Sequence, residues 1–280
     1  MDASSDVIAP GRVAVVTGAA SGIGRALAEA FVAQQMKVVL ADLDEVKLRA
    51  TTAELAEGGA DVHPVVCDTS LEASVQDLAT AALERYGAAH VLCNNAGVVG
   101  KGDPWRGPMS GWDWVVGVNL YGVIHGIRAF LPIMEDQAVG HIVNTASMAG
   151  LVALPGAAAY NVTKSGVVAL SEGLFLELLT NGSPVHVSVL CPGFVRTDLI
   201  DGQRWAARFG EEPQASTNPM VKIMDTVLAQ GIEGGIAPAE VAGEVLDAVR
   251  YNQFWILTHA DMRQMPVERM QRAAAQQNPA

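Results

Sequence analysis

The 280-residue chain is half hydrophobic and only 17% charged, which supplies a large core and argues against disorder. Its net charge of −12 argues against nucleic acid, which is bound by lysine and arginine neutralising phosphate, and disfavours anionic membrane surfaces. The polar, acidic start (residues 1–6) is unlike a signal peptide and no uninterrupted apolar run spans a bilayer, so a cytoplasmic protein is expected.

Residues 13–17 form a valine-rich run that enters the loop Gly18-Ala-Ala-Ser21-Gly22-Ile23-Gly24 and then a helical pattern. A buried strand, a tight turn and a helix start are expected there. Glycine tolerates positive φ and lets backbone approach a ligand. The free N–H groups of a helix start attract anions, and a pyrophosphate is the natural guest. The spacing is not the commoner Gly-x-Gly-x-x-Gly, and a glycine turn without ligand is the competing reading. A second run, 38–41, ends in Asp42, about 20 residues on, where a dinucleotide fingerprint carries its ribose-binding acid.

A helical stretch at 43–57 closes on Gly58-Gly59. A strand at 62–66 ends in Cys67-Asp68-Thr69, an amphipathic helix follows at 71–86, and a run at 89–92 enters Asn94-Asn95-Ala96-Gly97. Residues 98–111 read as loop and 112–134 as a long helix. The strand at 141–145 leads to Ser147, then a Gly/Pro loop and a helix at 159–179. The strand at 185–190 ends in Cys191-Pro192-Gly193. Periodicity weakens over 194–237; a helix at 238–250, a short strand at 254–257 and a polar tail complete the chain. Alternating strands and helices predict an α/β fold, a doubly wound parallel sheet of about seven strands in one domain. Ligand is expected outside the strands' carboxyl ends, where Thr17, Asp42, Asp68, Asn94, Ser147 and Pro192 all fall. The three cysteines, each at a strand end, read as small core residues, and six scattered histidines without ligand spacing predict no metal site.

Tyr160 and Lys164 stand four apart, on one helix face. A cation near a phenol favours the phenolate, and oxidised nicotinamide would add a second positive charge. Such a tyrosine can exchange a proton with an alcohol or carbonyl while hydride passes to or from a cofactor. Ser147, thirteen residues earlier, can hold the substrate oxygen. No glycine of a nucleophile elbow follows it, so serine-hydrolase chemistry is rejected. Alone, a Tyr-x-x-x-Lys is an ordinary helix pattern and a serine an ordinary cap.

Together, the glycine loop, Asn94-Asn95-Ala96-Gly97, Asn119, Ser147, Tyr160-x-x-x-Lys164 and Pro192-Gly193 resemble the short-chain dehydrogenase/reductases over about residues 11–258. The resemblance implies an NAD(P)-dependent oxidoreductase on a Rossmann fold, exchanging hydride with a secondary alcohol or ketone. It implies Tyr160 as acid–base catalyst, Ser147 as orienter and Lys164 as tuner of the tyrosine and binder of the nicotinamide ribose. Asn119 resembles the asparagine that holds a relay water; its alternative is a buried residue that bends a helix. The dinucleotide is expected on Gly18, Ser21, Gly22, Ile23, Gly24, Asp42, Leu43, Cys67, Asp68, Thr69, Asn95, Ala96, Gly97, Tyr160, Lys164, Pro192, Gly193, Val195 and Thr197. Asn94 is expected to line the adenosine side while its motif also steadies the central sheet, and Thr197 to meet the carboxamide.

No cation follows Asp42 or stands at Ser21, so NAD is expected over NADP; Arg25 and Lys47 are the candidates for a residual phosphate contact. Residues 194–237 match the variable substrate loop, where Trp205, Phe209, Met220, Ile223 and Met224, with Met148, Leu151 and Leu154, either line an apolar pocket or pack the loop shut. Gly202, Gly210 and Gly231 suit a loop that opens and closes. The two long helices, 112–134 and 159–179, are alanine- and valine-rich on more than one side, and the resemblance implies that such helices form a dimer bundle, so a homotetramer built from dimers is expected. Competing functions are an NADP-dependent carbonyl reductase, an epimerase and a non-catalytic dinucleotide-binding protein.

Overall fold

The computed structural model describes residues 7–279 apart from 201, 211–215 and 217, and only the backbone of 202–204. Among the described residues, strands β1 (Val13–Thr17), β2 (Lys37–Asp42), β3 (Val62–Val66), β4 (Val91–Asn94), β5 (Gly140–Thr145), β6 (Val185–Leu190) and β7 (Trp255–Ile256) form one parallel sheet in the order β3-β2-β1-β4-β5-β6-β7. The helices are α1 (Gly22–Ala33), α2 (Glu45–Glu57), α3 (Glu72–Tyr86), α4 (Met109–Val116), α5 (Gly122–Asp136), α6 (Met148–Leu151), α7 (Ala158–Asn181), α8 (Gly202–Phe209), α9 (Pro219–Glu233), α10 (Pro238–Arg250) and α11 (Gln264–Ala274). This is the Rossmann-type α/β arrangement. Strand order reverses between β1 and β4, which opens a crevice at their carboxyl ends.

The central strands are buried on both faces, yet they keep period two. Ala14, Val16, Val38 and Leu40 pack with Leu27 and Phe31 of α1 and Val241 and Val245 of α10. Val13, Val15, Val39 and Ala41 pack with Leu78 of α3, Phe130 of α5 and Val167 of α7. Two apolar layers thus sandwich the sheet. Pro64 cannot donate to a ladder, and β3 that carries it is an edge strand. The register sets Thr17 opposite Ala41, Asn94 opposite Asn144, and Thr145 opposite Leu190. Polar strand ends therefore line up along one edge.

Several boundaries differ from the sequence reading. The fourth strand starts at Val91, because residues 89 and 90 lead into it without pairing as strand. The long helix runs from Met109 to Asp136, interrupted by a π-helical turn at Gly117–Tyr121. Its apolar residues are broken in sequence by Asp113, His125 and Arg128, yet it is long and apolar enough by length and composition to cross a membrane. In this fold it lies on the sheet with Val123, Phe130 and Met134 buried. The aperiodic stretch after Phe194 contains α8 and α9, and the tail forms a 3-10 turn, Ala260–Met262, followed by α11. Cys67, Cys93 and Cys191 are free and buried.

Candidate active site

A cavity of about 970 Å³ runs along the carboxyl edge of the sheet. Its floor is the glycine loop. Gly18 and Gly22 have φ of +67° and +55°, where a side chain is strained. Gly24 has another reason: a Cβ there would stand 2.0 Å from the Gly18 carbonyl oxygen. It therefore lies behind the cavity wall and lets α1 close onto the loop, whereas Gly18, Ser21, Gly22 and Ile23 line the cavity.

Thr17 joins this loop to the next strand. Its hydroxyl donates to the Cys93 carbonyl (3.2 Å) and accepts the N–H groups of Asn95 (2.9 Å) and Ala96 (3.0 Å). Asn95 Nδ2 donates back to the Thr17 carbonyl at 3.0 Å. Asn95, Ala96 and Gly97 reach the cavity. Asn94 does not: it is buried, and its Nδ2 donates to Asn144 Oδ1 at 2.9 Å. Asn144 Nδ2 donates in turn to Ser171 Oγ at 3.0 Å. The expected adenosine contact of Asn94 is thus replaced by a brace between β4, β5 and α7, because the strand's alternation turns it inward.

Asp42 Oδ2 accepts the Ala20 N–H and Oδ1 the Asp44 N–H, both at 3.0 Å. A carboxylate has about four acceptor sites, so two remain for hydroxyls. Leu43, Cys67, Asp68 and Thr69 complete this end. Asp68 Oδ1 accepts the Ser70 N–H (3.0 Å) and hydroxyl (2.6 Å), and its Oδ2 lies 4.0 Å from Arg208 Nη1 of α8. Lys47 lines the cavity and pairs with Asp44 at 3.8 Å, whereas Arg25 is committed to Glu29 and Glu54 outside it.

At the other end, β5 and α7 converge. Ser147 Oγ accepts the Ala149 N–H at 3.1 Å as the N-cap of α6 and donates to the Pro192 carbonyl at 3.4 Å. Burial pushes the Tyr160 phenol above its ordinary range, and a hydrogen bond with Ser147 opposes the rise. Lys164 Nζ lies 5.6 Å from the Tyr160 ring centroid and donates to the Thr145 carbonyl at 2.7 Å. Burial lowers its pKa to about 8. The sequence reading has Lys164 and oxidised nicotinamide together lowering the phenol's pKa; in the chain by itself burial is the largest influence on the phenol and raises it.

Asn119 is fully buried in the π-helical turn. Its Oδ1 accepts the Val98 N–H (2.8 Å) and its Nδ2 donates to the Val98 carbonyl (2.9 Å). It lies behind the cavity wall rather than on it. A Cβ at Gly97 would nevertheless stand 3.6 Å from Asn119 Oδ1 and 3.7 Å from Lys164 Nζ, so both polar groups border the same small space. The helical irregularity and the Asn119 clasp belong together, as π turns often do at sites.

Pro192, Gly193, Val195 and Thr197 border the cavity above Ser147. Met148 and Leu154 line it too, but the other bulky residues named from sequence do not. Trp205 and Phe209 pack edge-to-face on Trp114 at centroid distances of 5.7 and 5.8 Å and fasten α8 to α4. Met220 and Ile223 are exposed. Gly231 is a packing residue, since a Cβ would meet the Phe194 ring at 2.6 Å, whereas Gly210 has φ +74° and open space. The apolar wall is built by Leu199, Ile200, Leu228, Ile232, Met262 and Met265, none of which was singled out from sequence. The one available signal was Met262 and Met265, a methionine pair at helical spacing in a polar tail.

A dinucleotide suits this chemistry. The glycine loop leaves room where side chains would intrude, Asp42 has acceptor capacity left, and the buried Thr145 Oγ1 on the cavity wall has no partner among the described residues. The family model described as short chain dehydrogenase matches residues 12–206. The chain belongs to the short-chain dehydrogenase/reductase family. Its relatives include a short-chain dehydrogenase/reductase from Burkholderia phymatum solved in complex with NAD, 41% identical, with 97% of each chain covered and a TM-score of 0.92. The 1-deoxy-11-beta-hydroxypentalenate dehydrogenase of Streptomyces avermitilis is 38% identical over 89% of this chain and 84% of its own. A variant of the actinorhodin polyketide ketoreductase, solved with NADPH, is 29% identical over 94% of this chain and 99% of its own, with a TM-score of 0.75. This short-chain dehydrogenase is therefore an NAD(P)-dependent oxidoreductase acting on hydroxyl or keto groups.

Proposed function

We propose that the enzyme oxidises a bulky, apolar secondary alcohol with NAD, or reduces the matching ketone with NADH. The observation that carries this is a cavity of two chemistries meeting at Ser147 and Tyr160. Towards β2 and β3 its wall holds Asp42, Asp44, Glu45, Lys47 and Asp68. Beyond Ser147 and Tyr160 the wall is apolar, with Met148, Leu154, Leu199, Ile200, Leu228 and Ile232. The cations on the cavity wall, Lys47, Lys164 and Arg208, face Asp44, the Thr145 carbonyl and Asp68, so a charged substrate would have to compete for them, and burying its charge against the apolar wall would be costly.

When bound, the nicotinamide supplies hydride acceptance or donation. The chain's own residues do the rest. Gly18 and Gly22 and the start of α1 hold the pyrophosphate; Asp42 accepts the adenosine ribose hydroxyls and repels a 2′-phosphate, which favours NAD. Ser147 donates to the substrate oxygen. Tyr160 takes the alcohol proton or returns it to a carbonyl. Lys164 anchors the nicotinamide ribose from its Thr145 carbonyl, with Asn119 fixing the adjoining Val98 backbone. A phenol held neutral by burial is ready to protonate a ketone, and cations nearby ease its ionisation in the oxidative direction.

We further infer that the chain works as one catalytic domain, in the cytoplasm and as a homotetramer. Three free, buried cysteines suit a reducing compartment. Tyr121, Val162, Leu176 and Leu179 expose apolar surface on the two long helices, as an interface between copies requires. A monomer mass by light scattering would refute the assembly.

The test of function is nicotinamide absorbance with NAD and NADP over a panel of cyclic, aromatic and steroid-like secondary alcohols. Turnover with NAD that is lost in Tyr160→Phe, while NADH binding persists, supports the reading. Absence of any NADH binding by the native enzyme would overturn it.

A further inference from the structure

After β7 the chain turns back over the site. His259, the third residue past that strand, uses both ring nitrogens on the backbone that follows β6. Its Nδ1 accepts the Gly193 N–H at 3.1 Å, and its Nε2–H donates to the Phe194 carbonyl at 3.0 Å. Gly193 N–H can only donate, so Nδ1 must accept, and the ring is the neutral tautomer carrying its proton on Nε2. Thr258 Oγ1, 2.8 Å from Nδ1, adds a second polar contact on that nitrogen.

The fit is close. A Cβ on Gly193 would stand 2.8 Å from His259 Cγ and 2.7 Å from Met262 Sδ. The glycine that borders the cavity is thus bare so that the returning chain can press on it from behind. One residue earlier, the Pro192 carbonyl accepts the Met148 N–H at 2.9 Å and the Ser147 hydroxyl at 3.4 Å. The chain of contacts runs from His259 through Gly193 and Pro192 to Ser147, which lines the cavity together with Tyr160.

We propose that His259 is a positioning residue for hydride transfer: it fixes the height of the 192–194 backbone, and with it the seat of the nicotinamide ring and the aim of Ser147. The role rests on the dinucleotide reading above. It makes the segment after β7 part of the active site, although it lies outside the region that carries the family motifs. His259 bonds the 193–194 backbone and its neighbour Thr258, so its effect falls on the nicotinamide half. The adenosine half, built on β2 and β3, is untouched by it.

That division supplies the experiment. NADH and ADP-ribose, which lacks the nicotinamide, are titrated against the native enzyme, His259→Phe, His259→Asn and His259→Gln; kcat and KM follow on an alcohol from the panel, with Tm measured throughout. His259→Phe keeps an aromatic ring without its nitrogens. It is expected to bind NADH at least tenfold more weakly, hold ADP-ribose within twofold of native, and lose kcat at least tenfold with little change in alcohol KM. His259→Asn keeps an acceptor where Nδ1 lies and is expected to recover most of the loss. His259→Gln keeps a donor towards Phe194 and recovers less. Should His259→Phe fold poorly, the Asn and Gln variants carry the same comparison. Unchanged NADH binding and kcat in His259→Phe or, should that variant fold poorly, in His259→Gln, or equal weakening of NADH and ADP-ribose, would overturn the proposal. Failure of the native enzyme to bind NADH would overturn the dinucleotide reading itself, a result distinct from either.

Discussion

Replacing Gly22 by alanine perturbs the site through two separate costs. Its φ of +55° lies in the left-handed region, which costs an L-residue about 1–2 kcal/mol. The new Cβ would also stand 3.0 Å from Thr197 Cγ2 and 3.3 Å from Thr197 Cβ, closer than ordinary contact. Overpacking of this kind costs about 1–3 kcal/mol. The sum, about 2–5 kcal/mol, is less than the usual stability of a domain, so the variant folds. At roughly 2–4 °C per kcal/mol for a chain of this size class, Tm falls by about 4–20 °C. Because Thr197 borders the nicotinamide end, the strain also reaches binding, and NADH affinity is expected to drop about tenfold or more, equivalent to about 1.4 kcal/mol. Thr197→Ser removes the Cγ2 that clashes. Added to Gly22→Ala, it should restore most of the packing share of both losses, the Cβ contact remaining, but none of the backbone share. The assays are NADH fluorescence titration and thermal unfolding of the four members of the cycle. A single variant within 2 °C and twofold of native, an experimental tolerance of about the coupling noise in such cycles, would refute the reasoning; so would a cycle without coupling.

Three further outcomes are expected. In a homologous series of 2-alkanols, kcat/KM should rise about fourfold per methylene, from about 0.8 kcal/mol per buried CH₂, until the cavity is filled; a flat series would refute the apolar wall. Asp42→Asn should narrow the preference for NAD over NADP by roughly tenfold or more, since like-charge juxtaposition costs several kcal/mol, and an unchanged ratio of kcat/KM values would refute the ribose assignment. Burial, then the charge of Arg12, lowers the His90 pKa to about 4 from 6.5, and its Nδ1 accepts the Val13 N–H at 3.0 Å. The unfolded chain then binds the proton first, so the stability His90 contributes is whole above about pH 6.5 and is lost as pH falls towards 4, by about 3 kcal/mol. Urea unfolding of His90→Gln should show a shallower loss over that window, and an identical slope would count against it.

The sequence by itself determined the sheet, because valine-rich runs separated by helical spacing can only be buried parallel strands. It also determined most of the candidate site. Gly18, Gly22, Asp42, Asp68, Asn95, Ser147, Tyr160 and Lys164 each sit at a strand end or on a neighbouring helix turn, and in a parallel sheet such ends share one edge. Local chemistry pointed to the glycine loop, Asp42, Ser147, Tyr160 and Lys164, and the family resemblance supplied Asn95 and the assignment of roles. The tertiary structure decided what depends on distant partners. It turned Asn94 away from the cavity towards Asn144, and it set Asn119 in a π turn against Val98, 21 residues away. It also sent Trp205 and Phe209 to Trp114 instead of the pocket. It brought Arg208 to Asp68, Met262 to Gly193, and His259 to a backbone 66 residues earlier. None of these pairs has a spacing that periodicity can register, because side-chain contact across the sheet edge is fixed only when the layers pack.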